Sequence, residues 1–121
     1  MAAIDDIAYD FTALLRAGEY RAAARYWAND IVSVEPAESP GGNAEVASGL
    51  TAVQRKSATW FGTNRIDDLS IDGPFVTGDQ FALFLDMMIV DRSSGEHQPF
   101  AEIALYTVRD GQICEERYFY D

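Results

Sequence analysis

Carboxylates standing among apolar residues are the groups in this sequence that could do chemistry. Asp86 is the only charge in the run from Phe81 to Val90 (FALFLDMMIV). An ionised carboxylate in such surroundings is costly without a partner. Buried and unpaired, its pKa rises, and it becomes a proton donor. The same side chain could instead reach water at an edge or bulge, or pair with Arg117 or Arg92. Glu102 opens the stretch EIALYTV on the same expected face as Tyr106. It could face a pocket, or pair with Arg117 and hold the sheet. Tyr106 is either a pocket hydrogen-bond donor or a core tyrosine with its hydroxyl at the rim. Glu35 ends the short apolar stretch IVSVE beside a loop, where a carboxylate is often simply solvated. Trp60 and Phe61 normally serve as core, but Trp60 in a pocket would give a flat wall for a ring-shaped ligand. Met87 and Met88 are of the type that fills core gaps.

Other chemistries find less support. His97 is the only histidine, and it sits beside an expected turn. Cys114 is the only cysteine, so no intrachain disulfide can form and a zinc site is not expected. No acidic spacing resembles a calcium loop. The chain has no P-loop, dinucleotide fingerprint or nucleophile elbow. Serine–histidine–aspartate catalysis would have to use His97, which nothing supports.

The elements that must position these residues follow from periodicity. Ile4, Ile7, Ala8, Phe11, Leu14 and Leu15 recur at helical spacing and predict an amphipathic helix over residues 2–17, stopped by Gly18. Residues 19–28, with Tyr20, Ala23, Ala24 and Trp27, read as a second short helix. Residues 31–35 read as a strand, and 36–48 (PAESPGGNAEVAS) as a loop of the kind that is usually functional or mobile. Ser48 is a plausible N-cap for a third helix carrying Leu50, Val53, Ser57 (a gap in the apolar stripe), Trp60 and Phe61, and ending at Gly62. Residues 65–71 read as a polar strand. Three long strands follow over 80–91, 98–109 and 112–120. Asp110-Gly111 is a strong type I′ hairpin signal. A two-residue loop there would pair Arg109 with Gln112, Val108 with Ile113, Tyr106 with Glu115, Ala104 with Arg117 and Glu102 with Phe119. Helices first and antiparallel strands last make an α+β pattern. Helices covering a curved sheet imperfectly leave a pocket between the two layers.

At 121 residues the chain fits a single domain over 1–121 with a real core. Its apolar fraction of 48% suits a globular protein. The net charge of −11, from 20 acidic and 9 basic residues, repels phosphate, so neither nucleic acid nor an anionic membrane is an expected partner. No apolar run reaches membrane-spanning length. The acidic N-terminus, MAAIDDIAYD, lacks a basic leader region, and the lone cysteine suits a reducing compartment, so a cytoplasmic location is expected.

GPFVTGDQFAL (73–83), EIALYTVRDGQI (102–113) and the EERYFY ending together resemble the SnoaL-like branch of the nuclear-transport-factor-two-like superfamily. The resemblance runs from the first helix to the C-terminus. It implies a cone: three helices over a strongly curved mixed sheet, with a deep pocket at the open end, and dimers packed through the outer sheet face. Relatives include ketosteroid isomerases, polyketide cyclases and limonene-epoxide hydrolases, as well as non-enzymatic binding or association modules. In the isomerases a carboxylate general base precedes a proline after the first strand, and VSVEP puts Glu35 there. Their oxyanion-hole tyrosine and protonated aspartate are replaced here by Phe11 and Ala104. Loss of one such donor commonly costs about 100- to 1000-fold in rate. The hydrolases use an Arg-x-Asp where this chain has Phe84-Leu85-Asp86, which keeps only the aspartate. A second aspartate near the chain end corresponds to Asp121, preceded by Arg117. In the cyclases an aspartate serves as acid/base, and Asp121 or Asp86 would fill that role.

The resulting expectation is cofactor-independent acid/base chemistry on a small hydrophobic, cyclic or carbonyl-bearing molecule. Glu35 would accept the proton and a neutral Asp86 would donate. Phe11, Trp60 and Met88 would form the apolar wall. Phe84, Glu102, Tyr106, Arg117 and Asp121 complete the candidate binding set. The alternative is a non-catalytic module of the same fold that binds a small ligand or another chain.

Overall fold

The computed structural model describes residues 3–37 and 45–121. Helix α1 (Ile4–Arg16) buries Ile7, Ala8, Phe11 and Thr12, the stripe that the periodicity marks. Asp5 and Asp6 in its first turn and Arg16 in its last complement the helix dipole. Arg16 also donates to the carbonyl oxygens of Ile71 (3.0 Å) and Gly73 (3.3 Å), tying the helix end to the sheet. Gly18, at φ 75°, turns the chain out of the helix. A single turn, α2 (Tyr20–Ala23), and a 3-10 turn follow, and β1 (Trp27–Glu35) starts four residues earlier than the apolar run suggested.

The loop expected over 36–48 falls largely outside the described residues. Its end forms a strand instead: β2 (Glu45–Ser48) pairs antiparallel with β1. Four residues with one apolar pair carry too little pattern to be read as a strand alone. Helix α3 (Leu50–Thr63) is capped by Gly49 at φ 91° rather than by Ser48, and no side chain caps it. The amide of Gly49 donates to the Ile31 carbonyl at 2.7 Å.

The remaining strands are β3 (Asn64–Thr77), β4 (Gln80–Asp91), β5 (His97–Arg109) and β6 (Gln112–Phe119). They form one six-stranded curved sheet in the order β2-β1-β6-β5-β4-β3, mixed because β1 and β6 run parallel. The α+β cone expected from the sequence is thus the fold observed. Strand β3 runs six residues beyond its expected end, through a register shift between Asp72 and Phe75. Gly73 is needed there: a Cβ would lie 2.9 Å from the Ala82 carbonyl oxygen.

Helix α1 packs on β3 and β4, and α3 on β1 and β2. The narrow end is filled by aromatic rings. Phe81 stacks on Tyr106 at 4.9 Å, and Phe11 meets both edge-on at 5.9 and 4.9 Å. Leu83, Ile113, Ile31 and Val53 close the core around them.

The hairpin at Asp110-Gly111 forms as expected, with φ 53° and 77° and with Arg109 opposite Gln112 and Val108 opposite Ile113. The register then shifts between Thr107 and Val108. Tyr106 faces Glu116 rather than Glu115, Ala104 faces Tyr118 rather than Arg117, and Phe119 faces Ile103 rather than Glu102. One extra residue on β6 exchanges its two faces. Glu116 and Tyr118 therefore join Glu102 and Tyr106 on the inside, while Arg117 goes outside.

Candidate functional site

At the open end, helices and sheet separate enough to leave a cavity of about 440 Å³. Phe11, Leu15, Tyr20 and Ala23 line it from the N-terminal helices, and Val53, Lys56, Ser57 and Trp60 from α3. Glu35 enters from the end of β1, Leu85 and Met87 from β4, Glu102 and Tyr106 from β5, and Glu116, Tyr118 and Tyr120 from the C-terminal strand and its end. Most of the wall is apolar or aromatic, with a few convergent polar groups, as in ligand sites generally.

The polar groups are wired together. Lys56 Nζ lies 3.0 Å from Glu35 Oε1 and donates to Ser33 Oγ at 2.6 Å. Ser33, fully buried, donates in turn to Glu116 Oε2 at 2.7 Å. The ammonium also sits 5.3 Å from the centre of the Tyr118 ring. This network has a simple origin. Ile31, Ser33 and Glu35 alternate inward along β1, and the parallel register puts Ser33 opposite Glu116. Lys56 comes three residues after buried Val53 and four before Trp60, on the inward stripe of α3. The second oxygen of Glu35 is buried and accepts no hydrogen bond among the described residues, and the indole N–H of Trp27 in the cavity wall donates none.

Burial sets the protonation of the site. Glu102 is pushed up to about 8, first by burial, then by the charges of Glu35 and Glu116, with Lys56 opposing. It is therefore mostly a carboxylic acid at neutral pH. Burial also raises Glu116, while Ser33, Lys56 and Tyr118 pull it back. The Tyr106 and Tyr118 phenols are raised well above the ordinary tyrosine value, by burial first and by the neighbouring carboxylates second. Burial and the Glu35 carboxylate push Tyr120 up to about 12. The cavity thus holds a proton-loaded acid and un-ionised phenols beside an ion-paired carboxylate.

The sequence-predicted residues divide cleanly. Glu35, Glu102, Tyr106, Phe11 and Trp60 meet in the cavity. Asp86 does not: it is exposed and pairs in register with Ser70 and Ala101 on the outer face. Phe81, Leu83, Leu85 and Met87 are the buried set of β4, so alternation sends Phe84, Asp86 and Met88 outward. An unbroken apolar run conceals which alternate set goes in. Asp86 is accordingly not a pocket donor, Met88 is not in the wall where Met87 is, and Phe84 is 38% exposed. Arg117 lies outside with its Nε 3.4 Å from Glu115 and pairs with neither Glu102 nor Asp86. Asp121 is exposed at a shallow outer depression beside Phe84 and Phe119. His97 is exposed, 3.9 Å from Asp67. Sequence reasoning missed Lys56, Ser33 and Glu116. The position of Lys56 within the apolar stripe of α3 was the available signal for it. Glu116 had none, because the bulge decides its side.

Among the described residues, no three His, Cys, Asp or Glu side chains are grouped to hold a metal ion, and no helix is long and apolar enough to cross a membrane.

The profile of the SnoaL-like domain matches residues 2–120. A candidate SnoaL-like polyketide cyclase from Mesorhizobium loti is 39% identical over 98% of this chain and 100% of its own, with a TM-score of 0.87. A second candidate SnoaL-like polyketide cyclase, from Jannaschia, is 18% identical over 100% of this chain and 90% of its own, with a TM-score of 0.78. A Xanthomonas campestris protein with a cystatin-like fold is 20% identical over 98% and 90%, with a TM-score of 0.73. The last two speak for the fold alone. No curated protein matches the chain.

Proposed function

The chain belongs to the SnoaL-like family, and from that premise we propose that it is a cofactor-independent acid/base catalyst. Its substrate is a small hydrophobic molecule, cyclic or carbonyl-bearing. The observation that carries this reading is Glu102: a carboxyl group pushed up to about 8 in an aromatic cavity that also contains the ion-paired Glu35. Two neighbouring carboxyl groups, one ion-paired and one holding its proton, are the pattern of a paired acid and base. Glu35 takes a proton from the carbon next to the reacting group. The electron pair of that C–H bond moves toward the heteroatom, which receives the Glu102 proton. Return of a proton from Glu35, and of the other to Glu102, restores the site. Glu102 thereby replaces Asp86 as the donor. The phenols of Tyr106 and Tyr118 stay protonated beside it.

Mass spectrometry of the purified protein would identify a retained ligand. On that substrate, Glu35→Gln and Glu102→Gln should each lower kcat by about 100-fold or more. Turnover unchanged in both variants would refute the assignment. A second reading, a non-catalytic binding module, draws on the Lys56 ammonium 3.0 Å from Glu35, where it occupies the expected base. Binding with no conversion of the ligand by the wild-type chain would favour it.

A homodimer through the outer sheet face fits the same picture. Phe84, Ile103 and Phe119 stand exposed there with Asp86 and Arg117, so a second copy could oppose apolar to apolar and acid to base. Light scattering on the chain in solution tests this.

A further inference from the structure

Among the described residues, three acids, Glu35, Glu102 and Glu116, line the cavity, against one base, Lys56. Lys56 is already engaged, by Glu35 at 3.0 Å and Ser33 at 2.6 Å. Among the described residues, no other cation lines the cavity. Arg16 is held on the carbonyls of Ile71 and Gly73, Arg109 on Asp30, and Arg117 beside Glu115 on the outer face. Residues 36–44 contain no lysine or arginine in sequence. Glu102 therefore faces a cavity without a counter-ion of its own. The surrounding rings suit one. Tyr106 and Tyr118 stay un-ionised, so their faces keep the ordinary aromatic quadrupole. Lys56 over the Tyr118 ring at 5.3 Å already uses such a face within this cavity.

Resting on the acid/base reading above, we propose that the heteroatom of the ligand facing Glu102 is a basic nitrogen, so that the site takes hydrophobic amines or imines and rejects acids. A carbonyl oxygen cannot keep a proton at neutral pH, but a nitrogen can. An imine or free amine takes the Glu102 proton directly: the O–H bond breaks, an N–H bond forms, and ammonium is left against carboxylate. An ammonium arriving from water displaces the same proton to solvent. Both routes end in a charge-assisted hydrogen bond inside an aromatic wall. Besides burial, the groups that tune Glu102 are Glu35 on β1, Glu116 on β6 and Lys56 on α3; Tyr20 on α2, Tyr106 on its own strand, and Tyr118 and Tyr120 at the chain end share the cavity with it.

The test is calorimetry on the full chain at pH 7 with three probes of one shape: an aminotetralin, the matching tetralone and the matching tetralin carboxylate. Each is titrated in two buffers of different ionisation enthalpy. The amine should bind about tenfold tighter than the ketone and release close to one proton per ligand, and the carboxylate should not bind. In Glu102→Gln the amine should lose its advantage and the proton release should vanish. A ketone that binds as tightly as the amine, with no proton released, overturns the nitrogen assignment and leaves the acid/base reading standing. A carboxylate that binds tightest sinks both. Failure of all three to bind at millimolar concentration overturns the amine assignment.

Discussion

On β5 and β6 the inner face carries Glu102, Tyr106, Glu116 and Tyr118, whereas the outer face of the same strands carries Ile103, Leu105, Arg117 and Phe119. The usual polarity of a half-buried sheet is inverted over these residues. Charge is enclosed where burial penalises it, and Ile103 and Phe119 are 46% and 48% exposed. Neither arrangement helps the isolated chain to fold. A buried acid lowers stability once it ionises, and exposed apolar area contributes no burial energy. Such local conflicts are expected where a surface serves something other than the fold. The inner face encloses acids and phenols, and the outer one leaves apolar area uncovered.

The sharpest way to break this contrast is to remove a phenyl ring from each face of β4. Phe81→Ala, at 0% exposure, should cost about 3–5 kcal/mol. Phe84→Ala, at 38%, should cost about 0.5 kcal/mol or less. Urea denaturation measures both. A large Phe84 effect that grows with protein concentration would show that another copy covers that face.

Next comes catalysis. Glu102→Gln should reduce turnover by about 100-fold, while Asp86→Asn on the outer face of β4 should leave it unchanged. Equal losses in steady-state assays would remove the distinction between the faces.

Smaller is the effect of Ser33→Ala, which takes from Glu116 a donor and from Lys56 one of its two acceptors. It should cost about 1–3 kcal/mol, again by denaturation.

The gentlest test is pH. The native chain holds the Glu102 proton to about 8, whereas the unfolded chain loses it near 4.5. The folded state therefore binds more protons between those values, and stability falls as pH rises through that window. Glu116, also raised, acts in the same direction. Glu102→Gln should flatten its share of the slope and exceed wild type in stability above pH 8. A stability–pH curve parallel to wild type would mean that Glu102 is solvated.

Much of the architecture was legible in the sequence because its signals are local. Helical spacing marked α1, the Asp110-Gly111 pair placed the β5–β6 turn, and long apolar runs marked β4 and β5. The resemblance put Glu35 at the cavity, and face-sharing kept Glu102 with Tyr106. What was hidden depends on long-range packing. The apolar alternates of β4 look alike until α1 selects Phe81 and Leu83 for the core, which sends Asp86 outward. Lys56 reads as a solvated helix residue until Glu35 and Ser33 arrive beside it from β1.

The bulge opposite Thr107 and Val108 reaches further than its size suggests. Because one surplus residue in β6 decides which of two interleaved sets looks inward, an unbulged ladder along the same sequence would replace the Glu116–Tyr118 lining with Glu115, Arg117 and Phe119 at one stroke. A slip of one residue could thus trade an acid-rich interior for one bearing a guanidinium, whereas loss of the surplus Cys114 itself would keep Glu116 opposite Tyr106.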